Sequence, residues 1–142
     1  MTHELSRSVL VVEDDQIDTE YILRKLDELG IPYEVAARSF EAISMLQRKN
    51  SARPALVLLD WKISGGGASV LRAVREDPML AATPVVVLSR STARDDVRAA
   101  LSWHANAFVA KAPELRDFQD HVAAICDLFL NIAQPPPLPD TD

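Results

Sequence analysis

Cysteine is nearly absent from the 142-residue chain: Cys126 stands alone, with no partner for an internal crosslink and no neighbour at metal-ligand spacing. That excludes a disulfide-framed secreted module and a zinc module, and it predicts a reducing, cytoplasmic setting. Basic runs are missing too. None exceeds a dipeptide such as Arg48-Lys49, and the net charge is −6, which argues against nucleic-acid binding. No apolar run approaches the roughly 20 residues that cross a bilayer, and the polar start, Met1 to Arg7, has no basic n-region of a signal peptide. What remains is 48% hydrophobic and 25% charged, the balance of one globular domain.

Short runs of Val, Ile and Leu alternate with stretches of helical spacing, the signature of stacked βα units. Val9 to Val12 (β1) reads as a strand buried on both faces and ends in Glu13-Asp14-Asp15. A helix (α1) follows from Gln16 to Leu29, with Ile17, Tyr21, Leu26 and Leu29 on its inner face and Gly30 as a left-handed stop. Tyr33 to Ala37 (β2) is polar enough for an edge strand, and Ser39 is placed to cap a helix (α2) to Arg48 whose inner stripe is Phe40, Ile43 and Leu46. Ala55 to Leu59 (β3) is the most apolar segment, stopped by Asp60. Three glycines, 65 to 67, suggest a flexible connector to a helix (α3) marked by Val70, Leu71 and Val74.

Val85 to Leu88 (β4) ends in Ser89, and Thr92 to Asp95 resembles a capping box opening a helix (α4) to Trp103. Ala107 to Ala110 (β5) ends in Lys111, and a last helix (α5) from Pro113 carries Leu115, Phe118, Val122, Ile125 and Phe129 inward. Residues 1–7 read as a flexible terminus, 8–133 as one domain and 134–142 as an extended Pro-rich tail. Five such units with right-handed crossovers give an α/β, flavodoxin-like, doubly wound (βα)5 fold, its parallel sheet ordered 2-1-3-4-5.

In that sheet the strand C-termini converge on one rim. Glu13, Asp14 and Asp15 follow β1, Asp60 follows β3, Ser89 follows β4 and Lys111 follows β5. Strands β1 and β3 are neighbours, so Asp14 and Asp60 are expected to face each other within reach of one metal ion. Carboxylates so close repel unless a cation lies between them, and an all-oxygen set that keeps its waters suits Mg²⁺. A carboxylate, a hydroxyl and an ammonium around Mg²⁺ meet the needs of phosphoryl transfer to an acyl oxygen.

Through Val-Leu-Val-Val-Glu13-Asp14-Asp15, Leu56-Val57-Leu58-Leu59-Asp60, Val86-Val87-Leu88-Ser89 and Phe108-Val109-Ala110-Lys111, the chain resembles the response regulator receiver family. The resemblance implies a phosphoacceptor at Asp60. It also implies Mg²⁺ bound by Asp14 and Asp60, by Glu13 through water and by the backbone carbonyl of Lys62. Ser89 takes the part of the switch hydroxyl, Lys111 of the lysine that pairs with the phosphoryl group, and Phe108 of the aromatic that turns inward. The segment from Arg75-Glu76-Asp77-Pro78 through Thr83-Pro84-Val85, with the long apolar last helix and proline tail, is similar to single-domain receivers paired with phytochrome-type or hybrid histidine kinases. With no output domain in the sequence, the expected output is a contact through the α4-β5-α5 face.

Several residues depart from the family pattern. Arg90 follows the switch serine where a small residue is usual, and either hinders access or holds phosphoryl oxygens. Lys62 sets a second cation beside the phosphoacceptor, where it would crowd attacking water. The Gly65–Gly67 loop is one residue short, and Ala112 stands where a proline is usual. These favour an alternative, a degenerate receiver that binds partners without phosphorylation. An Asp-nucleophile phosphatase fits less well, because Lys62 occupies the place of its second Asp, and three carboxylates after β1 would repel the phosphate of a flavin. His3, His104 and His121 lack a catalytic setting, Cys126 reads as a core residue, Trp61 as partly exposed and Trp103 as helix packing. Surplus apolar surface on α5 at Ala124, Leu128, Leu130 and Ile132 predicts a homodimer through α4-β5-α5, extended by the C-terminal segment to Leu138.

Overall fold

The computed structural model describes residues 7–48 and 52–137. Five parallel strands lie in the order β2-β1-β3-β4-β5, with β1 Val9–Val12, β2 Tyr33–Ala36, β3 Leu56–Asp60, β4 Val85–Ser89 and β5 Ala107–Ala110. The helices are α1 Gln16–Glu28, α2 Ser39–Leu46, α3 Gly67–Glu76, α4 Arg94–Ser102 and α5 Leu115–Asp127, and α5 runs on as a π-helical turn, Leu128–Ile132. No helix among the described residues is long and apolar enough to cross a membrane.

The central strands read as unbroken apolar runs because both their faces are covered. Leu10, Val12, Val57, Leu59, Val85 and Val87 pack toward α2, α3 and α4. Their alternating neighbours Val9, Val11, Leu56, Leu58, Val86 and Leu88 pack toward Ile22 and Leu26 of α1 and Phe118, Val122 and Cys126 of α5. Val12 pairs in register with Leu59, and Ser89 with Ala110. The residues that follow these pairs therefore emerge level on the same rim.

Several helix faces differ from the sequence reading. The buried face of α1 is Asp18, Ile22 and Leu26, while Ile17 and Leu29 are exposed. In α2 the buried residues are Ser39, Ala42 and Leu46, and Phe40 is 63% exposed beside the Arg38 guanidinium, 5.9 Å from its ring centroid. That cation stabilises an aromatic ring left in water. Ser39 caps nothing, and Arg38 is the first flanking residue. Helix α4 starts at Arg94 without a side-chain cap, so Thr92 opens no capping box. Helix α5 starts at Leu115, because Glu114 is still extended, and Leu115 itself is exposed.

The glycine loop is a tight turn rather than a flexible connector. The Gly66 and Gly67 amides donate to the carbonyls of Ile63 (2.7 Å) and Trp61 (3.0 Å). A Cβ on Gly67 would stand 2.8–2.9 Å from the backbone and ring of Trp61, so only glycine permits this approach. Trp61 is correspondingly buried, not partly exposed. The tail beyond the π-helical turn carries no regular secondary structure over residues 134–137, and the buried Arg53 donates to the Pro136 carbonyl at 3.0 Å. The expected contribution of Leu138 lies outside the described residues.

Candidate functional site

The rim above β1, β3, β4 and β5 gathers the residues that the sequence singled out. Glu13, Asp14 and Asp60 bring one carboxylate oxygen each to within 4.8 Å of one another. Glu13 and Asp60 are buried and Asp14 is exposed, so the cluster opens to solvent on one side. Backbone groups fix it. The Asp14 and Asp15 amides donate to Glu13 Oε2 at 3.1 and 3.2 Å, and the Lys62 amide donates to Asp60 Oδ1 at 3.3 Å.

Lys111 is the buried counterion. Its Nζ donates to Glu13 Oε1 at 2.6 Å and to Asp18 Oδ2 at 2.8 Å, and stands 3.9 Å from Asp60 Oδ1. Its amide donates to the Ser89 carbonyl at 2.8 Å, which fixes where the side chain departs. All peptide bonds described are trans, so Lys111 reaches the cluster without the cis bond that a following proline would favour. Burial pushes the Glu13 carboxyl up to about 7, and the Asp60 charge adds to this while Lys111 opposes it. For Lys111 burial works against the charge, yet the bonds to Asp18 and Glu13 outweigh it and raise the pKa.

Ser89 is fully buried, and its Oγ accepts the Ser91 amide at 3.2 Å. Phe108 is half-buried against the core beneath α2, α3 and α4. Lys62 turns away from Asp60. Its Nζ lies 3.1 Å from Asp96 Oδ2 at the start of α4, and Ser91 Oγ donates to the same oxygen at 2.9 Å. Those bonds from Lys62 and Ser91 hold the Asp96 pKa below its ordinary value. The Arg90 guanidinium donates to Asp18 Oδ1 at 2.6 Å. Arg90 therefore spends its charge on α1, an arrangement that neither sequence alternative foresaw.

Asp18 is the functional-site neighbour that sequence reasoning missed. It is 1% exposed and carries two cations, Lys111 and Arg90. Its signal was the spacing of Asp18, Ile22 and Leu26, four residues apart on one helix face.

An oxygen-only set with one member open to water fits a hard divalent cation such as Mg²⁺, which keeps several waters. Residues 9–123 match the model of the response regulator receiver domain. The chain belongs to the response regulator receiver family. It is 33% identical over 129 residues to the response regulator Rcp1 of Synechocystis sp., covering 86% of this chain and 88% of that protein. Among solved structures, the phosphorylated cyanobacterial phytochrome response regulator RcpA superposes with a TM-score of 0.86 at 29% identity, over 96% of this chain and 100% of that one. The Mn²⁺-bound form of Rcp1 gives 0.85 at 29% identity, over 93% and 100%. This receiver therefore shares its fold with relatives characterised in phosphorylated and metal-bound states.

Proposed function

We propose that this receiver accepts a phosphoryl group on Asp60 from a phosphohistidine of a partner histidine kinase, in a two-component phosphorelay. The observation that carries the reading is the Lys111 ammonium 3.9 Å from Asp60 Oδ1 beside the Glu13–Asp14–Asp60 cluster. An Asp60 oxygen forms a bond to phosphorus while the phosphorus–nitrogen bond of the donor breaks. The electron pair returns to the imidazole, which takes up a proton. Glu13, Asp14, Asp60 and the Lys62 backbone carbonyl would hold Mg²⁺, which when bound neutralises charge on the transferring phosphoryl group. Lys111 neutralises a second phosphoryl oxygen and the Ser89 hydroxyl donates to a third. Turnover is limited to loading and slow hydrolysis of the acyl phosphate, so the protein is a signalling acceptor rather than an enzyme acting on an external substrate.

The Ser89–Ser91–Asp96–Lys62 connection supports an output through α4-β5-α5, since it joins the strand ends at the site to the first turn of α4. Phe108 on β5 is the aromatic that would follow Ser89 inward. Exposed Leu101 near the end of α4, and Leu115, Leu128 and Ile132 on α5 and its π-helical turn, support a homodimer on that side. A phytochrome-type kinase in the cytoplasm is the favoured donor, by likeness to RcpA. The degenerate-receiver alternative has less support once Arg90 is engaged with Asp18. Transfer of label from a phosphorylated phytochrome-type kinase to wild-type protein, and none to Asp60→Asn, is the expected outcome. Label on both proteins would refute Asp60 as the acceptor.

A further inference from the structure

The reading of Asp60 as phosphoacceptor underlies this inference and sharpens it. Lys111 has to serve two masters. In the resting site its ammonium is held by Glu13 and Asp18 at 2.6 and 2.8 Å, well inside its 3.9 Å separation from Asp60. A phosphoryl group on Asp60 draws Lys111 toward it, and each bond that Lys111 gives up leaves a buried carboxylate behind. Removing the partner of such a charge is costly unless another cation takes its place.

Asp18 has a second cation already in place. Its two carboxylate oxygens are divided between Lys111 on Oδ2 and Arg90 on Oδ1, the latter bond being 2.6 Å. The Asp18 side chain is 2% exposed and that of Arg90 is 62% exposed, so Arg90 reaches in from solvent to a buried acid. We propose that Asp18 and Arg90 form a counterion relay for phosphoryl capture: Arg90 keeps Asp18 neutralised, so that Lys111 is free to pass from Asp18 to the phosphoryl group on Asp60. Both are positioning residues that act through Lys111. Arg90 neither blocks the site nor binds the phosphoryl oxygens.

The test is the rate of acyl phosphate formation with acetyl phosphate and Mg²⁺, followed by intact mass for wild type, Arg90→Ala, Arg90→Lys, Asp18→Asn and the double variant Asp18→Asn/Arg90→Ala. Urea midpoints establish that each is folded. In Arg90→Ala an uncompensated Asp18 holds Lys111 more tightly, and loading slows on the order of tenfold, a coupling typical of residues in one ion-pair network. Arg90→Lys restores most of the rate. In the Asp18→Asn background there is no acid left to neutralise, and adding Arg90→Ala changes the rate less than about twofold. A role of Arg90 exerted anywhere other than on Asp18 would not produce that cancellation. Arg90→Ala loading at the wild-type rate overturns the relay, and so does an Arg90→Ala effect of equal size with Asn at position 18, since Arg90 would then act on the donor directly. A wild type that takes up no phosphoryl group overturns the functional reading itself, an outcome separate from either of these.

Discussion

Replacing Lys111 with methionine tests the electrostatics of the site most severely. The side chain is 3% exposed and its ammonium faces Glu13, Asp18 and Asp60. Methionine fills similar volume without charge, so the effect is electrical rather than steric. Asp18 keeps Arg90, which leaves Glu13 as the carboxylate that loses its partner. Removing one member of a buried pair costs about 3–5 kcal/mol. The pH dependence follows from the raised Glu13 pKa. In the metal-free wild type the folded-state value of about 7 lies above the ordinary 4.5. Between these values the folded state binds more protons than the unfolded one, so this group's contribution falls as pH rises from 4.5 to 7, by about 3 kcal/mol. Near pH 5.5 Glu13 is protonated in both proteins, and Lys111→Met loses only the Asp18 bond and the attraction of Asp60. Urea unfolding without metal is expected to give a loss of about 3–5 kcal/mol at pH 8 and clearly less at pH 5.5, with Mg²⁺ recovering part of the loss at pH 8. A loss below about 1 kcal/mol at pH 8, or an equal loss at both pH values, would show that Lys111 is not the counterion that Glu13 depends on.

Gly67→Ala forces a Cβ against Trp61 and is expected to cost about 1–3 kcal/mol in urea unfolding, whereas a neutral result would contradict the close approach. Burial pushes the Cys126 thiol up to about 11 from 9.0, so native protein should resist iodoacetamide at pH 8 and react only on unfolding. The same shift makes the thiol's contribution complete below pH 9 and lost as pH rises toward 11, which alkaline urea titration of Cys126→Ala against wild type would detect. Ile132→Glu, at an exposed position of the π-helical turn, should convert the proposed dimer to monomer in sedimentation. A monomeric wild type at high concentration, with and without phosphodonor, would remove the dimer.

The rim of the sheet was legible because each central strand is an apolar run of Val and Leu that ends at a polar residue, Glu13, Asp60 or Ser89, and the edge strand β5 ends likewise at Lys111. Parallel topology then does the rest, bringing residues remote in sequence to one edge. Helix faces were less legible. Ile17, Leu29 and Phe40 are apolar yet exposed, and following them rotated the buried stripes of α1 and α2. Asp18 was hidden by the same error, since an acid in the first turn of a helix reads as a complement to the helix dipole. The fates of Lys62 and Arg90 depended on partners in other elements, Asp96 and Asp18. The glycine loop misled because glycine signals conformational freedom, whereas Gly67 is needed here for its lack of a side chain beside Trp61.

Every step of the proposed signalling depends on Asp60 carrying the phosphoryl group. Intact mass after incubation with Mg²⁺ and acetyl phosphate tests it most directly, with Asp60→Asn and a chelator as controls. One added phosphoryl group is expected on the wild type, and none on Asp60→Asn or after removal of the metal. No addition to the wild type, or the same addition to Asp60→Asn, would contradict it.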